Sequence, residues 1–166
     1  MKRIAIVGPE SSGKSTLAKA LAGQFLTAWA PEYARSYLDI IDRPYEEKDL
    51  LTIAKGQLAL EETMATHANE WLFCDTNLLV IRIWAEYKYK RVDPWIVSHE
   101  GLDRYDLHVL TRPDIPWEDD PLREHPHHRD TLFPLYETAL QEAKVPYVII
   151  SGENRLDQAV EAISDL

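Results

Sequence analysis

One cysteine, Cys74, stands alone in the chain, so no internal disulfide can form and a reducing cytoplasm is the expected location. No run of eighteen apolar residues occurs, so no membrane-spanning helix is expected. Positive charge is scarce. Lys and Arg total 18 against 28 Asp and Glu, a net charge of −10. A surface of that sign suits neither nucleic acid nor an anionic membrane, so any bound anion must be held by local groups. Internal repeats and flexible linkers are missing too. The opening Met1 to Val7 is too short for a signal peptide and reads as a strand.

What is present is the composition of one globular domain. Of 166 residues, 45% are hydrophobic and 28% charged. A chain of this length buries roughly 70% of its unfolded surface. A single domain over residues 1–166 is expected.

Ile4 to Val7 is a continuous apolar run stopped by Gly8-Pro9, the pattern of a strand buried on both faces. From Lys14, apolar residues recur at spacing four through Leu17, Leu21 and Phe25, which predicts a helix. Ala28 to Pro31 reads as a short second strand. Glu46 to Asn69 and Leu78 to Tyr89 read as helices, with a strand at Trp71 to Cys74 between them. Tyr105 to Leu110 reads as a strand. Arg112 to Arg129 carries Pro113, Pro116, Pro121 and Pro126 and reads as an excursion from the core with one short helix. Asp130 to Lys144 (helix), Val145 to Ile150 (strand) and Arg155 to Leu166 (helix) complete the chain. Such alternation predicts an α/β fold: a parallel sheet of about five strands with helices on both faces and ligands at the carboxyl ends of the strands.

Gly8-Pro9-Glu10-Ser11-Ser12-Gly13-Lys14-Ser15 fits G-x-x-x-x-G-K-[ST] between a predicted strand and a predicted helix. Backbone N–H groups of such a loop converge on phosphate, Lys14 reaches the β- and γ-phosphates, and the Ser15 hydroxyl coordinates Mg²⁺. The expected nucleotide is ATP, held by Gly8, Glu10, Ser11, Ser12, Gly13, Lys14, Ser15 and Thr16. Trp71 to Asp75 supplies the second element, an acidic residue after an apolar strand. Asp75 is expected beside Ser15, holding Mg²⁺ or taking a proton, or else capping the following helix. Asp75 is followed by Thr76-Asn77-Leu78, without the Asp-x-x-Gly of a Ras-like GTPase, and no Asn-Lys-x-Asp guanine reader occurs. A P-loop small-molecule kinase remains.

Kinases of this kind shield the γ-phosphate and neutralise its developing charge. The excursion at about 112–129, with Arg112, Arg123 and Arg129, reads as that lid, and Arg123 and Arg129 as its phosphate contacts. Glu32 and Arg35 follow the second strand and suit a hydroxyl-rich ribose. Trp84, Tyr87, Tyr33 and Trp117 are candidate stacking partners for a base, and a cationic pyridinium favours an aromatic face. Ser151-Gly152 and Arg155, after the last strand, are candidates for cradling adenine. His125, His127 and His128 match no common metal spacing and read as solvated loop.

These pieces resemble the NadR-type ribosylnicotinamide kinase domain of the P-loop NTPase superfamily over nearly the whole chain. The resemblance rests on the phosphate loop, Glu32-Tyr33-Ala34-Arg35, Gly56-Gln57, Cys74-Asp75-Thr76, Trp117-Glu118-Asp119-Asp120-Pro121-Leu122-Arg123, Arg129 and Ser151-Gly152. It implies a nucleoside-kinase-like fold with a lid, and ATP-dependent phosphorylation of the 5′-hydroxyl of nicotinamide riboside in NAD salvage. By that resemblance, Lys14, Asp75, Glu32, Arg123 and Arg129 are catalytic. Glu32, Tyr33, Arg35, Trp84, Trp117 and Asp120 meet the substrate. The chain opens at the kinase strand, so the adenylyltransferase activity that often accompanies this domain is not expected. Two positions depart from the pattern. Pro31 stands where some members place a tryptophan, and Pro121 replaces a common glycine. Other nucleoside-like acceptors, and a regulatory nucleotide-binding ATPase without transfer, stay open as alternatives, as does a homo-oligomer.

Overall fold

The computed structural model describes residues 1–124 and 126–166; His125, one of the three loop histidines, lies outside the described residues. Five parallel strands form one sheet: β1 (Lys2–Val7), β2 (Trp29–Ala30), β3 (Trp71–Asp75), β4 (Leu107–Thr111) and β5 (Tyr147–Ile150). Their spatial order is β2-β3-β1-β4-β5. β1 is central, and its Ile4 to Val7 are fully buried, as a both-faces-covered parallel strand requires. Its register pairs Ile6 with Asp75 on one side and with Val109 on the other. Short β2 pairs Trp29 with Phe73 and ends before Pro31, which cannot donate to a ladder.

The helices are α1 (Lys14–Gln24), α2 (Tyr33–Ile41), α3 (Glu47–Ala65), α4 (Leu78–Tyr89), α5 (Pro94–His99), α6 (Arg129–Ala143) and α7 (Arg155–Ser164). α1 and α7 cover one face of the sheet through Leu17, Leu21, Ala159 and Ile163 packed on Ile4, Ile6, Phe73 and Val109. α4 and α6 cover the other, where Leu79, Ile83, Phe133 and Leu140 meet Ala5, Val7, Leu72 and Leu110. α2, α3 and α5 build a satellite core around Ile53, Ala54, Leu78 and Ile81. No helix among the described residues is long and apolar enough to cross a membrane.

Helices α2 and α5 were not read from the sequence. For α5 the local signal was present: Asp93 Oδ1 accepts the Trp95 N–H at 2.8 Å and Pro94 holds the first turn. The 112–128 connection holds turns but no helix among its described residues, against the one short helix expected there. The cap before α4 is Asn77, whose Oδ1 accepts the Leu79 N–H at 3.1 Å, which leaves Asp75 out of the capping role. α3 carries Gly56 in its interior, a placement costing about 1 kcal/mol relative to alanine. The compensation is a close approach: a Cβ there would lie 2.1 Å from the Tyr33 ring.

Candidate active site

The phosphate loop leaves the C-terminal end of β1 and turns into α1. Gly8 has φ of 144°, and a Cβ on it would sit 2.6 Å from Thr111 Oγ1 and 2.8 Å from the Thr111 carbonyl. Only glycine fits there. Ser12 Oγ donates to the Pro9 carbonyl at 2.6 Å and lies 2.6 Å from Thr111 Oγ1, so the end of β4 braces the loop. Sequence reading missed Thr111, because its role depends on β4 lying beside β1. Lys14 Nζ arches back over its own loop to the Pro9 carbonyl at 2.8 Å. No side chain caps α1 and no acidic residue lies in its first turn, so its terminal N–H groups face the cleft as an anion cradle.

Asp75 ends β3 opposite Ile6, two residues before the loop opens at Gly8. Ser15 Oγ donates to Asp75 Oδ2 at 2.5 Å. Asp75 is 1% exposed, and its Oδ1 has no hydrogen-bond partner. Burial and the neighbouring Glu32 charge push its pKa up to about 6. A buried carboxylate oxygen without a partner, beside a hydroxyl, fits the hard-oxygen coordination of Mg²⁺. Among the described residues, no group of three His, Cys, Asp or Glu side chains forms a separate metal site.

A cleft of about 200 Å³ runs from this loop across the sheet end. Gly8, Glu10, Ser11, Ser12, Gly13, Lys14, Ser15 and Thr16 are among its lining residues. Glu32, Arg35, Trp84 and Tyr87 line it as well, as do Ile115, Arg123 and Tyr136, with Ile115 lying over Gly13. Glu32 is the N-cap residue of α2, yet its carboxylate makes no cap bond. Trp84 is fixed by an edge-on contact with Tyr45 at 5.0 Å between ring centres, and its Nε1 donates to the Tyr45 hydroxyl at 3.1 Å. Arg35 pairs with Asp120 at 2.8 Å, joining α2 to the connection after β4. Arg82 is turned away, paired with Glu100 at 2.8 Å.

The 112–128 connection is stitched to the loop. Glu118 N donates to Ser11 Oγ at 3.1 Å, and Glu124 N to Glu10 Oε2 at 3.3 Å. Arg129 donates to the carbonyls of Ser11 (3.0 Å) and Ile115 (2.9 Å). Arg123 donates to the Glu118 carbonyl. Arg112 leaves this group and lies over the Phe133 ring at 4.5 Å.

Tyr33, Trp117, Arg155 and Ser151, expected as ligand contacts, sit outside the cleft lining. The Tyr33 ring packs against Gly56, outside the cleft lining, because the missing Cβ leaves it room. Trp117 is also outside, its Nε1 bonded to Asp119 and its ring 5.9 and 5.5 Å from the guanidinium carbons of Arg123 and Arg129. Arg155 is a brace: it donates to the Ser12 and Arg112 carbonyls, each at 2.8 Å, and pairs with Asp114. Ser151 is held by Gln158, which takes its N–H at 3.3 Å and donates to its carbonyl at 2.7 Å.

Residues 3–155 match the family described as AAA domain. The chain is 33% identical over 129 residues to the trifunctional NAD biosynthesis/regulator protein NadR of Escherichia coli strain K12, covering 74% of this chain. It spans 31% of that relative's length. Among solved structures, NadR protein in complex with NR superposes with a TM-score of 0.88 at 23% identity, covering 99% of this chain and 51% of that one. NadR in complex with NAD and AMP-PNP gives 0.81 at 23% identity, over 99% and 49%. Deoxyadenosine kinase from M. mycoides with products dCMP and dCDP gives 0.65 at 15% identity, over 99% and 100%. These superpositions establish the five-stranded P-loop nucleoside-kinase fold, and the match over residues 3–155 places the chain in the AAA domain family.

Proposed function

We propose that this protein is an ATP-dependent kinase that phosphorylates the 5′-hydroxyl of nicotinamide riboside, yielding nicotinamide mononucleotide. The carrying observation is one cleft lined both by the phosphate loop, which leads into the uncapped α1, and by Glu32, Arg35, Trp84 and Tyr87. Donor and acceptor ends are thus held within one cavity, the arrangement that direct phosphoryl transfer needs.

Roles follow from position. Lys14 and the α1 N-terminus hold the phosphates. Ser15, with Asp75 behind it, would hold Mg²⁺, which would supply charge neutralisation on the phosphate oxygens. Glu32 lines the cleft while Asp75 lies beneath Ser15, so Glu32 orients the acceptor hydroxyl and takes its proton. The acceptor oxygen then bonds to the γ-phosphorus as the bridging β–γ bond breaks and ADP leaves. The 112–128 connection acts as the lid. Arg123 and Arg129 turn from carbonyl partners to the transferring group as it closes. Trp84 and Tyr87 offer aromatic faces to a cationic pyridinium.

The acceptor is read as a nucleoside. Arg35, at the acceptor end, is already paired with Asp120, and Arg82 points away. A monophosphate acceptor would need a cation that neither supplies. The test is ATP consumption with Mg²⁺ against nicotinamide riboside, the common ribo- and deoxyribonucleosides, their monophosphates, and no acceptor. Turnover with nicotinamide riboside above all others is the expected result. Preference for another nucleoside moves the substrate. ATP binding with no acceptor-stimulated turnover would favour a regulatory ATPase.

A further inference from the structure

The wall of the cleft that carries Glu32 and Arg35 is set by a helix that contacts neither ligand end. Glu32, Ala34 and Arg35 line the cleft from the first turn of α2. That turn is docked on α3 at two adjacent points. The Tyr33 ring occupies the space over Gly56, where a Cβ would lie 2.1 Å from its Cε1 and 2.4 Å from its Cζ. The Tyr33 backbone N–H donates to Gln57 Oε1 at 2.9 Å.

A helix leaves its first N–H groups without internal partners, and the residue before it usually supplies one. Glu32 occupies that position and supplies none. Gln57, fully buried on a neighbouring helix, takes the N–H of Tyr33, the first residue of α2. One of α2's free donors is thereby satisfied from α3, which ties the first turn to that helix, while Glu32, which makes no cap bond, lines the cleft. Tyr33 meanwhile fills the notch of an interior glycine that its own helix would otherwise disfavour.

We infer that Gln57 and Gly56 form a dock for Tyr33 that positions Glu32 and Arg35, making Gln57 a positioning residue for the acceptor end. Tyr33 is a pin rather than a base-stacking ligand. This inference rests on the kinase reading for its kinetic consequence, and on the fold alone for the dock itself.

The test separates the two. Gln57→Met keeps length and volume while removing the acceptor oxygen. Amide exchange followed by NMR reads the dock without any substrate: the Tyr33 amide is expected to exchange at least tenfold faster in the variant. Unchanged protection of that amide would overturn the dock. Steady-state kinetics read the positioning. The acceptor KM is expected to rise about tenfold or more, with the ATP KM within about twofold. Acceptor and ATP constants moving together with a lowered Tm would overturn positioning in favour of a general structural role.

A second pair covers the case in which Gln57→Met fails to fold. Gly56→Ala should weaken acceptor use in the native background and have no further effect in Tyr33→Ala, because the clash partner is gone. Additive effects would overturn the pairing. If wild-type protein turns over no acceptor on the panel, the kinase reading fails while the exchange measurement still decides the dock.

Discussion

Ser15 and Asp75 meet across the seam between β1 and β3, with Ser15 Oγ donating to Asp75 Oδ2 at 2.5 Å and the other carboxylate oxygen buried without a partner. That oxygen is a standing cost in the nucleotide-free protein and a ligand position when a cation arrives. Asp75→Asn is therefore expected to lower kcat by about 10²-fold or more while leaving Tm unchanged or raised. Kinetics and thermal melts on one preparation check both. A variant that keeps near-normal kcat would remove Asp75 from the cation site.

Arg129 links the connection to the phosphate loop through the Ser11 and Ile115 carbonyls. Arg129→Ala should cost about 10³-fold in kcat if it also meets the transferring phosphoryl, with a small change in acceptor KM. Lysine should rescue little, since one ammonium does not reproduce the planar fork. A loss confined to Tm, with kcat intact, would leave Arg129 as a tether only.

Gly8→Ala places a Cβ 2.6 Å from Thr111 Oγ1 and 2.8 Å from a backbone carbonyl, at a φ of 144°. Neither contact can be relieved without moving the loop or β4. The expected outcome is a destabilisation of about 2 kcal/mol or more and ATP affinity reduced at least tenfold, read by denaturant melts and nucleotide titration.

Arg35 and Asp120 pair at 2.8 Å between α2 and the connection. Both side chains are partly exposed, so the pair adds at most about 1 kcal/mol to stability. Its effect should appear in catalysis. Arg35→Ala and Asp120→Ala are each expected to lower acceptor kcat/KM by about tenfold, with the double variant no worse than either. Independent, multiplying losses would show that the two act separately.

Glu61, on α3, is fully buried and accepts the Tyr105 hydroxyl at 2.9 Å; burial raises its pKa from 4.5 to about 7. The folded state therefore binds a proton more tightly than the unfolded chain. Its contribution to stability is complete below pH 4.5 and is lost as pH rises through 7. That pKa difference is worth about 3 kcal/mol. Glu61→Gln should flatten this part of the stability profile, measured by urea melts between pH 4.5 and 8.

Local chemistry made the frame of this protein legible in its sequence. An apolar β1 run meeting Gly8, a helix opening at Lys14 and an acidic residue closing the Trp71–Asp75 strand announce a phosphate loop, because each signal lies within a few residues. Strand alternation likewise announced a parallel sheet, which the order β2-β3-β1-β4-β5 bears out. The acceptor side was harder to read. α2 went unread although Ala34, Tyr37, Leu38 and Ile41 recur at helical spacing, because it is only nine residues long and follows a two-residue strand. Tyr33 sits among Glu32, Ala34 and Arg35, yet its ring leaves the cleft for the notch at Gly56, 23 positions further along the chain. Thr111, Gln57 and Arg155 brace the site through contacts 99, 24 and 143 residues apart, to Ser12, Tyr33 and Ser12 respectively. Sequence by itself determined which groups can hold phosphate, since backbone geometry and charge at a loop are local properties. Tertiary structure alone decided which side chains face the acceptor and which hold the wall in place, since that depends on what packs against them.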